Sequence, residues 1–135
     1  MKPLLVLAFL ALTFAAPAAD TLTGHYELAK KSNSPLSFDV LQKGKSATTS
    51  FSAGHADGSG AAPDGDGEGT LNAKGELTFK WTDTFDNAGT GTLRRGGKLY
   101  HLTLNTTKVA DPRALVFYGE ITLKRTSTKP QMSTR

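Results

Sequence analysis

The chain has 135 residues, a formal net charge of +4 and no cysteine. This length suits one domain, and the lack of cysteine excludes disulfides, thiolate catalysis and cysteine zinc sites. The basic residues are spread along the chain instead of forming a stripe with interleaved aromatics, so we predict no nucleic-acid partner.

The N-terminal segment has the pattern of a secretory signal peptide. Lys2 precedes an apolar run over residues 4–14, and a small-residue Ala-Pro-Ala segment occupies 16–18. The run is too short to span a membrane, which takes about 20 apolar residues, and A-x-A is typical of a cleavage site. We predict a signal peptide over 1–18, cleaved after Ala18 (alternatively after Ala19). The mature chain is then periplasmic or secreted, with no transmembrane segment.

Beyond the signal, the dominant pattern is alternation of apolar and polar residues between glycine-rich turns, which is typical of antiparallel strands. In chain order, the positions predicted to face inward are Leu22, Gly24, Tyr26, Leu28, Leu36, Phe38, Val40, Ala47, Thr49, Phe51, Ala53, Gly69, Leu71, Leu77, Phe79, Trp81, Phe85, Tyr100, Leu102, Leu104, Leu115, Phe117, Ile121 and Leu123. The sequence predicts about eight strands and no helix.

Most connections between these strands are short, so strands that are neighbours in sequence should pair antiparallel. We predict an all-β domain over 19–125, built as a small up-and-down barrel, because closure buries one face of every strand and leaves no edge. A two-sheet β-sandwich is the alternative. The large inward side chains predict a mostly solid core. The polar residues 126–135 predict a disordered tail, and we predict a monomer.

A long loop over 54–67 carries the most unusual composition. The candidate ligand-binding residues in and beside it are His55, Asp57, Asp64, Asp66 and Glu68, with no Lys or Arg among them. Calcium takes several oxygen ligands from a flexible backbone, so a divalent-cation site is one hypothesis. Gly and Asp are also ordinary turn formers, and the spacing departs from the EF-hand pattern. The alternative is therefore a solubilising connection with no metal ligand.

Catalytic patterns are few. Asp83, Asp86 and Asn87 lie close together in sequence, and a carboxylate pair could perform acid–base chemistry if burial separated the pKa values; turn formation explains the same residues. His25 and His101 fall on outward faces and are interpreted as surface residues. Because the sequence contains no recognisable catalytic constellation, we predict no enzyme, no catalytic residue and no cofactor.

A resemblance to other small proteins rests on three features of the sequence. These are Gly24-x-Tyr26, the central glycine-rich hairpins and the closing segment 119–125. In plan, the chain resembles small exported bacterial β-barrels, including the membrane-bound or periplasmic inhibitors of c-type lysozyme. Those inhibitors usually carry cysteines and a Ser/Lys loop motif, which this sequence does not match, so no inhibitory residue is carried over.

A rigid apolar core beside one long charged loop favours a binding protein, since binding residues concentrate on loops that a scaffold positions. We predict a non-catalytic exported binding module that acts through rim loops, chiefly 55–68, on a protein or envelope component. The alternatives are calcium binding at the acidic loop and an uncharacterised enzyme that uses rim carboxylates.

Overall fold

The computed structural model describes residues 21–132, and the predicted signal peptide and cleavage site lie outside them. Eight antiparallel strands form one closed barrel in which each strand pairs with its neighbours in sequence and β1 pairs with β8. The predicted barrel is confirmed. The strands are β1 (Gly24–Leu28), β2 (Leu36–Lys43), β3 (Ser46–Ala53), β4 (Asp64–Leu71), β5 (Leu77–Asp83), β6 (Ala88–Gly96), β7 (Leu99–Lys108) and β8 (Gly119–Ser127).

Aromatic rings fill the barrel, in agreement with the predicted solid core. Tyr26 lies edge-on to Tyr100 with ring centroids 4.9 Å apart, and Phe38 lies 5.5 Å from Phe79. At one end, the guanidinium of Arg125 lies over both tyrosine rings, 6.0 Å from Tyr26 and 5.4 Å from Tyr100. Within residues 21–132, side chains therefore occupy the interior of the barrel.

Strand β4 corrects the predicted long loop. The connection ends at Pro63, and Asp64–Leu71 is a strand whose inward positions are glycines at 65, 67 and 69 and Leu71. The ring of Phe51 occupies the space where a side chain at Gly65 would stand, and Phe79 does so at Gly69. This strand has few apolar residues of its own because its neighbours supply the core beneath it, so the sequence pattern predicted only its end, at Gly69 and Leu71.

The segment before β8 corrects a second prediction. Residues Pro112–Phe117 form a 3-10 helix instead of the start of the last strand. Asp111 caps this helix, since its side chain accepts a hydrogen bond from the backbone N–H of Arg113 at 3.0 Å. Proline at the first helical position has its φ already set and needs no N–H partner. Phe117 is still buried, but it reaches the core from the helix.

The C-terminal segment lies against the barrel wall as far as it is described. Strand β8 continues to Ser127, two residues beyond the predicted domain boundary, and the backbone N–H of Gln131 donates to Asp39 Oδ1 at 2.7 Å. The same oxygen lies 2.8 Å from His25 Nδ1. His25 faces outward, as predicted, but it is only 7% exposed and so is not an open surface residue.

Replacing Thr49 with valine should stabilise the protein. Thr49 is 1% exposed and is paired with Gly67 on the neighbouring strand β4. Within residues 21–132, its hydroxyl is the single buried side-chain oxygen that has no hydrogen-bond partner. A buried unsatisfied hydroxyl costs about 1–3 kcal/mol, so Thr49→Val should raise the free energy of unfolding by about 1 kcal/mol in urea denaturation. A loss of stability would show that the hydroxyl has a partner in solution, such as a bound water.

Candidate functional site

Four connections gather at one end of the barrel, because the strands alternate in direction. They join β1 to β2, β3 to β4, β5 to β6 and β7 to β8, and they span residues 29–35, 54–63, 84–87 and 109–118. We call these four segments the rim. The turns at the opposite end, after β2, β4 and β6, are shorter, so the rim has more irregular surface than the opposite end.

The structure does not bring the predicted acidic site together. His55 and Asp57 belong to the rim, whereas Asp64, Asp66 and Glu68 alternate along the outward face of β4. Residues two apart on a strand are about 6.6 Å apart, and Glu68 stands opposite Lys80 of β5. Between residues 21 and 132, no group of three or more His or acidic side chains could hold a metal ion.

Two of these carboxylates have local hydrogen-bonding roles. Asp57 accepts hydrogen bonds from the Ser59 hydroxyl at 2.6 Å and from its backbone N–H at 2.9 Å. These bonds hold the pKa of the Asp57 carboxyl below its usual value. Asp64 accepts a hydrogen bond from the Ser52 hydroxyl at 2.6 Å. Both carboxylates thus bind neighbouring serines and are not gathered around a shared point, so the calcium hypothesis gains no geometric support.

His55 joins three segments of the rim. Its Nδ1 lies 2.8 Å from the Ser34 hydroxyl in the 29–35 segment, and its ring centroid lies 4.8 Å from that of Phe117 in the 3-10 helix. Backbone bonds reinforce the first contact, from Ala56 N–H to Asn33 O at 2.7 Å and from Gly54 N–H to Pro35 O at 3.2 Å. These contacts therefore fix three of the four rim segments to one another.

The hydroxyl–imidazole pair of Ser34 and His55 could in principle serve as a nucleophile and its base. However, the backbone N–H groups of Gly54 and Ala56, on either side of His55, already donate to carbonyl oxygens, so neither is free to stabilise an oxyanion. The pair connects the 29–35 and 54–63 segments.

A buried carboxylate, Asp83, holds the 109–118 segment over the end of the barrel. Its Oδ2 accepts hydrogen bonds from Tyr118 Oη at 2.6 Å and from Asn87 Nδ2 at 2.9 Å. Asn87, which is fully buried, also accepts the N–H groups of Ala110 and Asp111 through Oδ1, at 2.8 and 2.9 Å. These bonds give Asp83 and Asn87 a structural role at the place where acid–base chemistry was considered.

Truncating Asn87 should loosen the 109–118 segment. Asn87→Ala leaves the backbone N–H groups of Ala110 and Asp111 without their acceptor, and the expected loss is about 1–2 kcal/mol of unfolding free energy. Amide hydrogen exchange at 110 and 111 should accelerate more than exchange in β2. Exchange that speeds up equally throughout the barrel would contradict a local role of Asn87 in holding the 109–118 segment. Thr82→Ala, an exposed polar truncation on β5, serves as the control.

Two tyrosines should make the protein less stable in alkali. Burial, followed by the hydrogen bond to Asp83 and its charge, raises the pKa of Tyr118 above its ordinary value of 10.0; burial does the same for Tyr26. Above about pH 10 these phenols ionise in the unfolded chain but not in the folded one, so the unfolded state is favoured as pH rises. Their contribution to stability is complete below that pH.

Urea denaturation at pH 8, 9.5 and 11 measures this effect. We expect the free energy of unfolding to fall between pH 9.5 and 11, and the fall to be smaller in Tyr118→Phe, which lacks one of the two groups. The same fall in both proteins would show that Tyr118 does not contribute to it.

Two grooves run along the outside of the rim, on either side of the 29–35 segment. One, of about 460 Å³, lies between this segment and residues 52–55; the other, of about 590 Å³, lies between it and residues 116–122. Lys30, Lys31 and Ser32 line both grooves, and His55 lines the first. Sequence reasoning identified His55 but missed the two lysines, which stand in an ordinary polar loop pattern with no local signal.

Comparison with known proteins leaves the chain without an assigned relative: no family model, curated protein or solved structure shows a significant match. The part of the chain that the structure describes has no helix with the length and apolar character needed to cross a membrane.

Proposed function

We propose that this protein is a non-catalytic binding module that captures a partner at its rim, in the periplasm or after secretion. The observation that carries the proposal is the junction at His55, where three rim segments are fixed to one another beside two grooves. Fixing loops in advance lowers the entropy lost on binding, so a rigid rim favours recognition.

The filled barrel supports the same proposal. Small barrels that carry ligands inside need an open lumen, whereas here the rings of Trp81, Phe51 and Tyr118 pack edge-to-face or tilted beneath the rim, with centroids 4.9–5.6 Å apart. The two grooves lie along the rim, so we expect binding through these loops, with the filled barrel as their scaffold.

Affinity capture from a cell-envelope fraction tests the proposal. The mature protein is compared with a rim variant, Lys31→Glu with Val116→Asp, and with a matched variant at the opposite end, Lys45→Glu with Ala73→Asp. All four positions are exposed, so both variants should fold. Point variants are preferable to deleting the acidic segment, because a deletion that reaches residue 64 removes the start of β4.

A component that the parent and the opposite-end variant retain, and the rim variant loses, supports binding at the rim. The proposal fails if capture is lost equally in both variants, or in neither. Inhibition of a c-type lysozyme is one specific form of the proposal. It is tested by measuring lysis of bacterial cell walls by a c-type lysozyme with and without the protein. Undiminished lysis would exclude lysozyme inhibition but not binding at the rim.

A further inference from the structure

The larger rim groove concentrates the apolar surface that this protein leaves exposed. Of the three large hydrophobic side chains that are exposed within residues 21–132, two line this groove: Val116, which is 64% exposed, and Leu99, which is 38% exposed. Leu28, Tyr118 and Ile121, which pack on the core and are only partly buried, line it as well. Scattered exposed hydrophobic residues are ordinary, but residues gathered in one groove indicate a binding surface.

The groove has the size of a small-molecule site. Its volume of about 590 Å³ lies within the roughly 300–1,000 Å³ that is usual for ligand pockets. Its apolar side chains come from β1, β2, the 3-10 helix with the adjoining Tyr118, β7 and β8. These elements are fixed by the barrel and by the hydrogen bonds of Asp83 to Tyr118 and Asn87, so the apolar wall is preformed.

Positive charge stands beside this apolar wall. Lys30 and Lys31 are exposed, line the groove, and form no ion pair with any residue that the structure describes. Glu120 is the one acidic residue among the lining side chains, so the groove carries a net positive charge of one. An apolar wall beside two unpaired ammonium groups complements a molecule with an apolar chain and an anionic head.

We propose that this groove binds a single-chain anionic amphiphile, such as a long-chain carboxylate, as a monomer. The chain lies along Val116, Ile121 and Leu28, and the anionic head lies at Lys30 and Lys31. This inference rests on the proposed rim-binding function and adds the chemical class of the ligand. A single chain is favoured over a bilayer because the apolar residues line a groove, whereas a membrane surface would be met by a protruding apolar face.

Titration with sodium dodecanoate below its micellar concentration tests the ligand class. Isothermal calorimetry gives the affinity, and methyl NMR of Val116 and Ile121 locates the site. We expect saturable binding with shifts at these methyl groups. Lys30→Glu with Lys31→Glu should weaken binding by about tenfold or more, and Val116→Asp should weaken it similarly. The control Lys45→Glu with Lys74→Glu carries the same charge change at the opposite end and should bind as the parent does.

Three further probes define the outcomes that would overturn the proposal. Equal affinity for dodecanol would show that the lysines do not select the anionic head, and equal affinity for butyrate would show that the apolar wall is not used. Binding to phosphatidylglycerol vesicles without binding to monomeric dodecanoate would show that the groove binds a membrane surface and not a single-chain ligand.

Failure of this ligand class is distinguishable from failure of the rim function. If dodecanoate does not bind while the rim variant still loses its envelope component, the ligand class is wrong and the binding function stands. If dodecanoate does not bind and capture does not depend on the rim, both proposals are wrong.

Discussion

Replacing Trp81 with alanine should cost about 3–5 kcal/mol of unfolding free energy, as is usual for removal of a buried large aromatic side chain. Trp81 is 2% exposed, its ring lies 5.6 Å from Phe51 and 4.9 Å from Tyr118, and its Nε1–H donates to Thr90 O at 3.0 Å. The cavity would open directly beneath the rim, so collapse of the surrounding rings could recover only part of the loss.

Thermal unfolding followed by circular dichroism measures the effect. For a domain of this size, about 3 kcal/mol lowers the melting temperature by roughly 12 °C. Trp81→Phe, which keeps a ring but loses the N–H donor, should fall between the parent and Trp81→Ala. Thr82→Ala, at the exposed neighbouring position, is the control and should stay within about 1 kcal/mol of the parent. An unchanged melting temperature for Trp81→Ala would mean that the tryptophan is not in the core.

Adding one methyl group at Gly89 should destabilise the protein by about 3 kcal/mol, at the upper end of the usual cost of overpacking. A Cβ at this position would collide with the backbone oxygen of Asn105 on β7 and would stand 2.6 Å from Cζ2 of Trp81. A backbone oxygen held in the sheet cannot move aside as a flexible side chain could, so the strands themselves must separate.

Gly54→Ala provides the matched control for this substitution. Its new Cβ would lie 3.6 Å from the Cβ of Ala62, which is ordinary contact, and the change also lowers the entropy of the unfolded chain. We expect no loss of stability for Gly54→Ala and a clear loss for Gly89→Ala in urea denaturation. Similar stability for the two variants would contradict the close approach of β6 to β7 at Gly89.

The glycines also explain where sequence reasoning failed on the fold. Alternation of apolar and polar residues is a local property of a strand with one buried face, so β2, β3, β5 and β7 could be predicted from it. In β4 the inward face consists of glycines 65, 67 and 69, followed by Leu71. Phenylalanines of β3 and β5 fill the space at Gly65 and Gly69, and a backbone oxygen of β5 and the Thr49 hydroxyl approach closely at Gly67. That pattern alone is indistinguishable from a flexible acidic loop.

The rim shows the same limit for the site. His55 was a candidate because of its unusual loop, but its partners Ser34 and Phe117 lie 21 and 62 residues away in sequence. Lys31 and Val116, which share the larger groove, are farther apart still. A sequence pattern within one segment carries no information about such neighbours, because closure of the barrel is what brings them together.

By itself, the sequence determined the class of the domain, the count of its strands, and the side chains that most of them bury, because period-two alternation and turn composition are local consequences of strand geometry. Only the tertiary structure decided that Asp64, Asp66 and Glu68 stand along a strand, that Asp83 and Asn87 hold the 109–118 segment, and that the exposed apolar side chains meet two lysines in one groove. Those features depend on register and barrel closure, which juxtapose residues that are distant in the chain.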